Sequence, residues 1–135
     1  MSQFIWDTKY SLNITELDRQ HQRLFALFNE LFDAIQDGHG NDVVGKVLTG
    51  LVDYTVYHFE TEEKLFLQHG YVEEAAHRAE HAKLAEQAKE LVRRHQAGEA
   101  KVTLATLKFL FDWLNNHILV SDKKFAPFLV ERGVR

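Results

Sequence analysis

The sequence predicts an all-α fold, an antiparallel four-helix bundle preceded by an extended N-terminal arm. Long stretches of good helix formers are separated by glycines, which are Gly38, Gly40, Gly70 and Gly98. Within those stretches, apolar residues recur at the three- and four-residue spacing of one buried helical face. Because the connections are short, consecutive helices are expected to be antiparallel neighbours.

The arm and the four helices follow from this division in chain order. Phe4 to Asn13 mix aromatic, β-branched and polar residues without a helical period, so we expect an extended arm over about residues 1–17. Thr15 or Asp18 is a candidate cap for the first helix. The predicted helices are about 18–37, 41–69, 73–95 and 101–130.

Each predicted helix has an apolar face, and two residues mark helix ends. Gly70 suits the left-handed turn that ends the second helix, and Pro127 removes a backbone donor, which should disturb the last turn of the fourth. The main apolar positions are Leu24, Phe25, Phe28 and Leu31 in the first helix, Val44, Leu48 and Leu51 in the second, Leu84, Ala88 and Leu91 in the third, and Val102, Phe109, Leu110 and Trp113 in the fourth.

The composition excludes several classes of protein. The chain has no cysteine, which rules out disulfides, thiolate metal sites and a cysteine nucleophile, so any metal must be bound by nitrogen and oxygen. The 20 acidic and 16 basic residues give a net charge of −4 and no basic patch for nucleic acid. We expect one domain over residues 1–135 that is cytoplasmic and monomeric, with no signal peptide and no run near the roughly 18 apolar residues of a membrane span.

Eight histidines are the unusual feature of the composition. His39 lies in a glycine turn, and His69 and His95 lie near helix ends, where we assign them structural or surface roles. The other five fall on predicted core faces, together with two carboxylates. This inward set is His21, His58, Glu62, His77, His81, His117 and Asp122.

The inward set as a whole indicates a metal site, although one buried histidine is more often a hydrogen-bonded core residue. Seven buried polar groups would each cost about 1–3 kcal/mol if unsatisfied, against a typical domain stability of about 5–15 kcal/mol. One tetrahedral zinc takes at most four ligands. Seven ligands with bridging carboxylates suit two six-coordinate ions with one open position. Imidazole and carboxylate favour iron, and manganese stays open.

The ligand order resembles the signature of the hemerythrin family. The matching pattern is His21, His58-x-x-x-Glu62, His77-x-x-x-His81 and His117-x-x-x-x-Asp122. The flanking segments Leu17-Asp18-Arg19-Gln20-His21, His58-Phe59 and Trp113-Leu114-Asn115-Asn116-His117-Ile118 also resemble the family sequence. The resemblance covers nearly the whole chain and points to the short, single-domain bacterial form.

The resemblance implies an up-down-up-down bundle that binds dioxygen reversibly, for storage, transport or delivery, and that is not an enzyme. It implies two iron ions (Fe2+/Fe3+) with an oxo or hydroxo bridge. By this resemblance one iron is held by His77, His81 and His117, the iron with the open position by His21 and His58, and both by the bridging Glu62 and Asp122. Leu114 resembles the family's pocket-lining position. Phe25, Phe59 and Ile118 lie within one turn of proposed ligands and are expected to complete an apolar oxygen pocket.

Two other functions stay open. A ferritin-like di-iron oxidase or peroxidase would use Glu-x-x-His pairs on two helices, and this sequence offers Glu74-Ala-Ala-His77. A sensor of oxygen, nitric oxide or iron would need a separate partner, because the chain has no signalling domain.

The spacing of His117 and Asp122 leaves a geometric question. Five residues place them about 140° apart around an ideal α-helix. Their side chains converge only if they approach the metals from different sides or if the helix contains a π-type turn.

Overall fold

The fold is the predicted antiparallel four-helix bundle, with its fourth helix assembled from three successive segments. The computed structural model describes residues 4–99 and 101–135. Its helices are α1 (Thr15–Gln36), α2 (Asn41–His69), α3 (Glu74–Gln96), α4 (Leu104–His117) and α5 (Lys123–Glu131), and a π-helical segment (Ile118–Asp122) joins α4 to α5. α1 packs against α2 and α4, and α2 packs against α3. None of the helices in the described residues has the length and apolar composition needed to cross a membrane.

The N-terminal arm is extended apart from one turn of 3-10 helix. This turn spans Thr8–Tyr10, and the Asp7 carboxylate caps it by accepting a hydrogen bond of 2.8 Å from the Lys9 amide. The arm is shorter than the predicted 1–17, because α1 begins at Thr15. Residues 1–3 of the predicted arm lie outside the described residues.

The predicted capping of the first helix is wrong. The residue before α1 is Ile14, and no side chain of the described residues caps that end. The Asp18 carboxylate accepts instead from the Leu12 amide at 2.8 Å and from the Ser11 hydroxyl at 2.6 Å. Asp18 therefore fastens the arm to the first turn of α1.

The fourth helix begins later than predicted and ends close to the predicted residue 130. It begins at Leu104 rather than about 101, because the Thr103 hydroxyl accepts from the Thr106 amide and caps it. Phe109 does not belong to the core face, since 63% of its surface is exposed. Pro127 lies inside α5, which continues to Glu131, so the helix survives the missing donor.

A polar layer divides the apolar core into two clusters. On α1, His21 separates Leu17, in the smaller cluster, from Leu24, in the larger one. On the fourth helix, Asp122 lies between Ile118 of the larger cluster and Phe125 of the smaller one. The candidate functional residues therefore lie in the middle of the bundle, with a cluster of apolar side chains on either side.

Replacement by alanine should have opposite effects on stability at Gly50, within α2, and at Gly70, which ends it. Gly70 ends the helix at a φ of +68°, so Gly70→Ala should destabilise the protein by about 1–2 kcal/mol. Gly50 lies within the helix, and nothing lies within 4 Å of an added Cβ, so Gly50→Ala should stabilise by about 0.5–1 kcal/mol. Urea unfolding measures both, and a change of the same sign in the two variants would contradict this account.

Candidate metal centre

The structure brings all seven predicted site residues together in the polar layer. Each is at most 4% exposed. They form two groups that share Glu62 and Asp122, and within each group the potential ligand atoms lie within 4.8 Å of one another. The three-imidazole group adds His77, His81 and His117, and the two-imidazole group adds His21 and His58.

Glu62 directs its two carboxylate oxygens towards different groups. Its Oε1 lies 3.1 Å from His81 Nε2, in the three-imidazole group. Its Oε2 lies 3.0 Å from His58 Nε2, in the two-imidazole group. One oxygen towards each group is the arrangement that a carboxylate needs to bridge two metal ions.

Asp122 shows the same division. Its Oδ1 lies 3.1 Å from the Nε2 atoms of both His77 and His117. Its Oδ2 lies 3.2 Å from His21 Nε2, in the other group. Both carboxylates therefore join the two groups.

The hydrogen-bonding state of the candidate ligand atoms shows whether two metal ions fit this cluster. Among the described residues, both oxygens of Glu62 and Asp122 are buried without a hydrogen bond, and the same holds for the Nε2 atoms of four histidines, namely His21, His77, His81 and His117. The closest imidazole nitrogens and carboxylate oxygens lie 3.0–3.2 Å apart in both groups, and cations bound between them would satisfy these buried atoms. The donor set fits two cations.

The π-helical segment answers the question of the five-residue spacing. Its backbone bonds include one from the Lys123 amide to the Ile118 carbonyl, five residues earlier. This wider turn brings position i+5 close to where i+4 lies in an α-helix. Asp122 consequently reaches His117 from the same helix.

Two residues that sequence reasoning missed support the imidazoles from outside. The Gln20 amide oxygen lies 2.7 Å from His58 Nδ1, and the Glu63 carboxylate lies 3.0 Å from His81 Nδ1. No sequence signal marks either residue, because each meets an imidazole of a different helix.

Aromatic rings also pack on the ligands. Phe59 stacks on His81 with ring centroids 3.8 Å apart and planes inclined by 4°. Trp113, which is half-buried, stacks on His117 at 4.7 Å and 13°. These contacts limit rotation of both imidazoles.

The other predicted pocket residues are buried near the cluster. Phe25 lies one turn after His21 on α1. Leu114 lies one turn before His117, and Ile118 follows His117 directly. Each of these three side chains is at most 2% exposed.

The residues assigned elsewhere lie outside the cluster. His39 is exposed, His69 is half-buried at the end of α2, and His95 donates through Nε2 to the Asn41 carbonyl at 3.0 Å. The Glu-x-x-His pair is not assembled, because the Glu74 carboxylate lies 3.0 Å from an Arg78 guanidinium nitrogen.

The carboxylates control the protonation of the metal-free centre. Burial alone would lower the pKa of His21, but Asp122 and Glu62 outweigh it and raise that pKa to about 9. The same balance raises the pKa of His77 to about 9. For His58, burial prevails and lowers the pKa. Burial raises the pKa of both carboxyls, but the surrounding imidazoles hold them below their usual range.

Fold and cluster together define a class, the four-helix-bundle proteins with a buried histidine and carboxylate centre that could hold two metal ions. The family model of the hemerythrin HHE cation binding domain matches residues 12–129. The chain belongs to the hemerythrin family.

Relatives resemble the chain over most of its length. A bacteriohemerythrin of Methylococcus capsulatus is 40% identical over 121 residues, which cover 90% of this chain and 92% of that protein. A hemerythrin-like protein of Naegleria gruberi is 35% identical, with 95% of both chains covered. A crystal structure of wild-type hemerythrin superimposes with a TM-score of 0.90 at 38% identity and covers 94% of this chain and 98% of that one.

The raised histidine pKa values predict opposite pH responses of metal-free stability and of metal binding. His21 and His77 stabilise the folded metal-free protein fully below their unfolded pKa of 6.5, and this contribution disappears as pH rises towards 9. The contribution of Glu62 and Asp122 is present above about pH 4–5 and disappears in acid. The free energy of unfolding without metal should therefore decrease from pH 6 to pH 9.

Metal affinity should increase over the same range, because a metal must displace these protons. Urea unfolding in chelator and metal titration at pH 6, 7.5 and 9 measure the two trends. His77→Gln should reduce the slope of metal-free stability, and His39→Gln should leave it unchanged. A metal-free protein that is more stable at pH 9 than at pH 6 would refute this balance of charges.

Proposed function

We propose that this protein binds dioxygen reversibly at a di-iron centre, for storage, transport or delivery of oxygen. The observation that supports this most directly is the division of the Glu62 and Asp122 oxygens between the two imidazole groups. Membership of the hemerythrin family, together with the similarity to a bacteriohemerythrin of Methylococcus capsulatus, supports iron as the metal.

The ligand roles in this proposal follow the two groups. His77, His81 and His117 hold one iron, His21 and His58 hold the other, and the two carboxylates bridge the pair. Three imidazoles and two carboxylate oxygens leave fewer free positions on the first iron than on the second. The open position therefore belongs to the two-imidazole group. When bound, the iron pair supplies the electrons for reversible binding of dioxygen.

The pocket residues keep this position dry. Leu114, Phe25, Phe59 and Ile118 contribute buried apolar side chains around the cluster. These apolar side chains exclude water and external acid, which would otherwise promote hydrolysis or reduction at the open position. This exclusion favours release of unchanged dioxygen, and we infer a carrier rather than an enzyme.

Metal analysis combined with optical spectroscopy tests the proposal. The purified protein should contain two irons per chain, and its reduced form should develop an absorption spectrum under oxygen that reverses under vacuum or argon. Fewer than two irons, or a spectral change that never reverses, would refute it. Consumption of oxygen with substrate turnover would indicate the oxidase instead.

Substitution of single histidines tests the ligand assignment. His77→Ala removes one of three imidazoles from the more fully coordinated iron and should cause loss of at least one iron per chain. His39→Ala is the matched control, since His39 is exposed in a turn, and it should retain both irons. Iron quantification after gel filtration measures the difference, and equal iron in the two variants would exclude His77 as a ligand.

A further inference from the structure

The outer sides of the imidazoles differ between the two groups. In the three-imidazole group, His81 Nδ1 faces Glu63 Oε2 at 3.0 Å. His117 Nδ1 lies 4.0 Å from Glu80 Oε1. Both of these outer neighbours are carboxylates, so negative charge lies on the outer side of this group.

Within residues 4–99 and 101–135, no such charge is in direct contact with the outer nitrogens of the two-imidazole group. His58 Nδ1 faces the amide oxygen of Gln20 at 2.7 Å, and His21 Nδ1 is buried without a hydrogen-bond partner in the described ranges. Gln20 is itself 2% exposed. Its amide nitrogen donates to Glu16 Oε1 at 2.9 Å and to Thr61 Oγ1 at 3.3 Å.

These contacts determine which nitrogen of each ring carries its outer proton. The Glu16 carboxylate requires a donor, so the Gln20 amide nitrogen faces it and the amide oxygen faces His58. That oxygen can only accept, and so can the carboxylate of Glu63. His58 and His81 therefore both carry a proton on Nδ1, which directs the Nε2 lone pair into the cluster.

We propose that Glu63 and Gln20 are positioning residues that give the two metal positions different affinities for electrons. The inference rests on the proposed di-iron function. A carboxylate that accepts from the outer N–H makes an imidazole a more basic ligand, and its charge favours the ferric state. An amide orients the ring without that charge. In the half-reduced protein, the ferric ion consequently occupies the three-imidazole position.

Charge-changing isosteres test this assignment in the iron-loaded protein. Glu63→Gln keeps an acceptor for His81 but removes the charge, so the reduction potential of the three-imidazole iron should rise. The gap between the two one-electron potentials, measured by titration with dithionite, should narrow. Glu60→Gln is the control, since Glu60 is an exposed carboxylate one turn away on α2, and it should leave both potentials unchanged.

The reciprocal exchange tests the other position. Glu16→Gln combined with Gln20→Glu conserves the net charge and the contact between residues 16 and 20, but places a carboxylate against His58. This exchange should lower the reduction potential of the two-imidazole iron. The difference between the two one-electron potentials should therefore narrow, here through a change at the two-imidazole iron. Mössbauer spectra of the half-reduced, 57Fe-loaded proteins should assign the ferric ion to the three-imidazole position in the wild type and to a mixture in the exchange variant.

Two readouts separate positioning from a general effect on folding. Glu63→Ala should weaken iron retention against a chelator by about 10- to 100-fold, and Glu63→Gln should restore most of it. In the iron-free protein, 15N NMR should detect a proton on Nδ1 of His58 and His81, and Glu63→Ala should remove this preference for His81 alone.

Identical potentials in Glu63→Gln and Glu60→Gln would overturn the inference, even if the wild type binds two irons and oxygen reversibly. Conversely, wild-type protein with two irons and no reversible oxygen spectrum would refute the proposed function, while the potentials of the variants would still decide the inference.

Discussion

The sharing of two buried carboxylates among five imidazoles is the interaction on which the rest of the structure depends. Glu62 and Asp122 are completely buried, and no hydrogen bond from the part of the chain that the structure describes satisfies any of their four oxygens. Such groups can be buried in a stable fold only where opposite charge compensates them. That charge comes from protons on the imidazoles in the metal-free protein, or from bound cations. The polar layer that they form divides the apolar core, so the packing of every helix must accommodate it.

The geometry of the fourth helix follows from this requirement. A regular α-helix would direct Asp122 away from His117, and the π-helical segment corrects its direction. The N-terminal arm braces the same region, because the Tyr10 hydroxyl lies 2.6 Å from Asn115 Oδ1 and the Lys123 ammonium donates to the Ser11 carbonyl at 2.7 Å. These bonds hold the helix on both sides of the distorted turn, which compensates for its irregular backbone.

The surroundings of the centre are asymmetric in their access to solvent. Glu63 lies on a groove of about 200 Å³ between α2 and α3, which also reaches His81 and Phe59. The Gln20 side, in contrast, is enclosed. The carboxylate of the first group is partly exposed, whereas the buried amide of the second group adds no charge to an enclosed position. The charged outer contact thus belongs to the more exposed group, and the uncharged contact belongs to the more deeply buried group.

Sequence alone determined the helical class, most helix boundaries and the set of residues that meet in the centre, because apolar periodicity and the positions of glycines are local properties of the chain. It missed the exposed face at Phe109, the cap at Thr103 and the true partners of Asp18. It left open how His117 and Asp122 converge. Tertiary structure decided these points, and it alone showed which oxygen faces which imidazole and that Gln20 and Glu63 support different groups. Such contacts join residues up to 101 positions apart, as His21 and Asp122 are, and no periodicity along one helix specifies them.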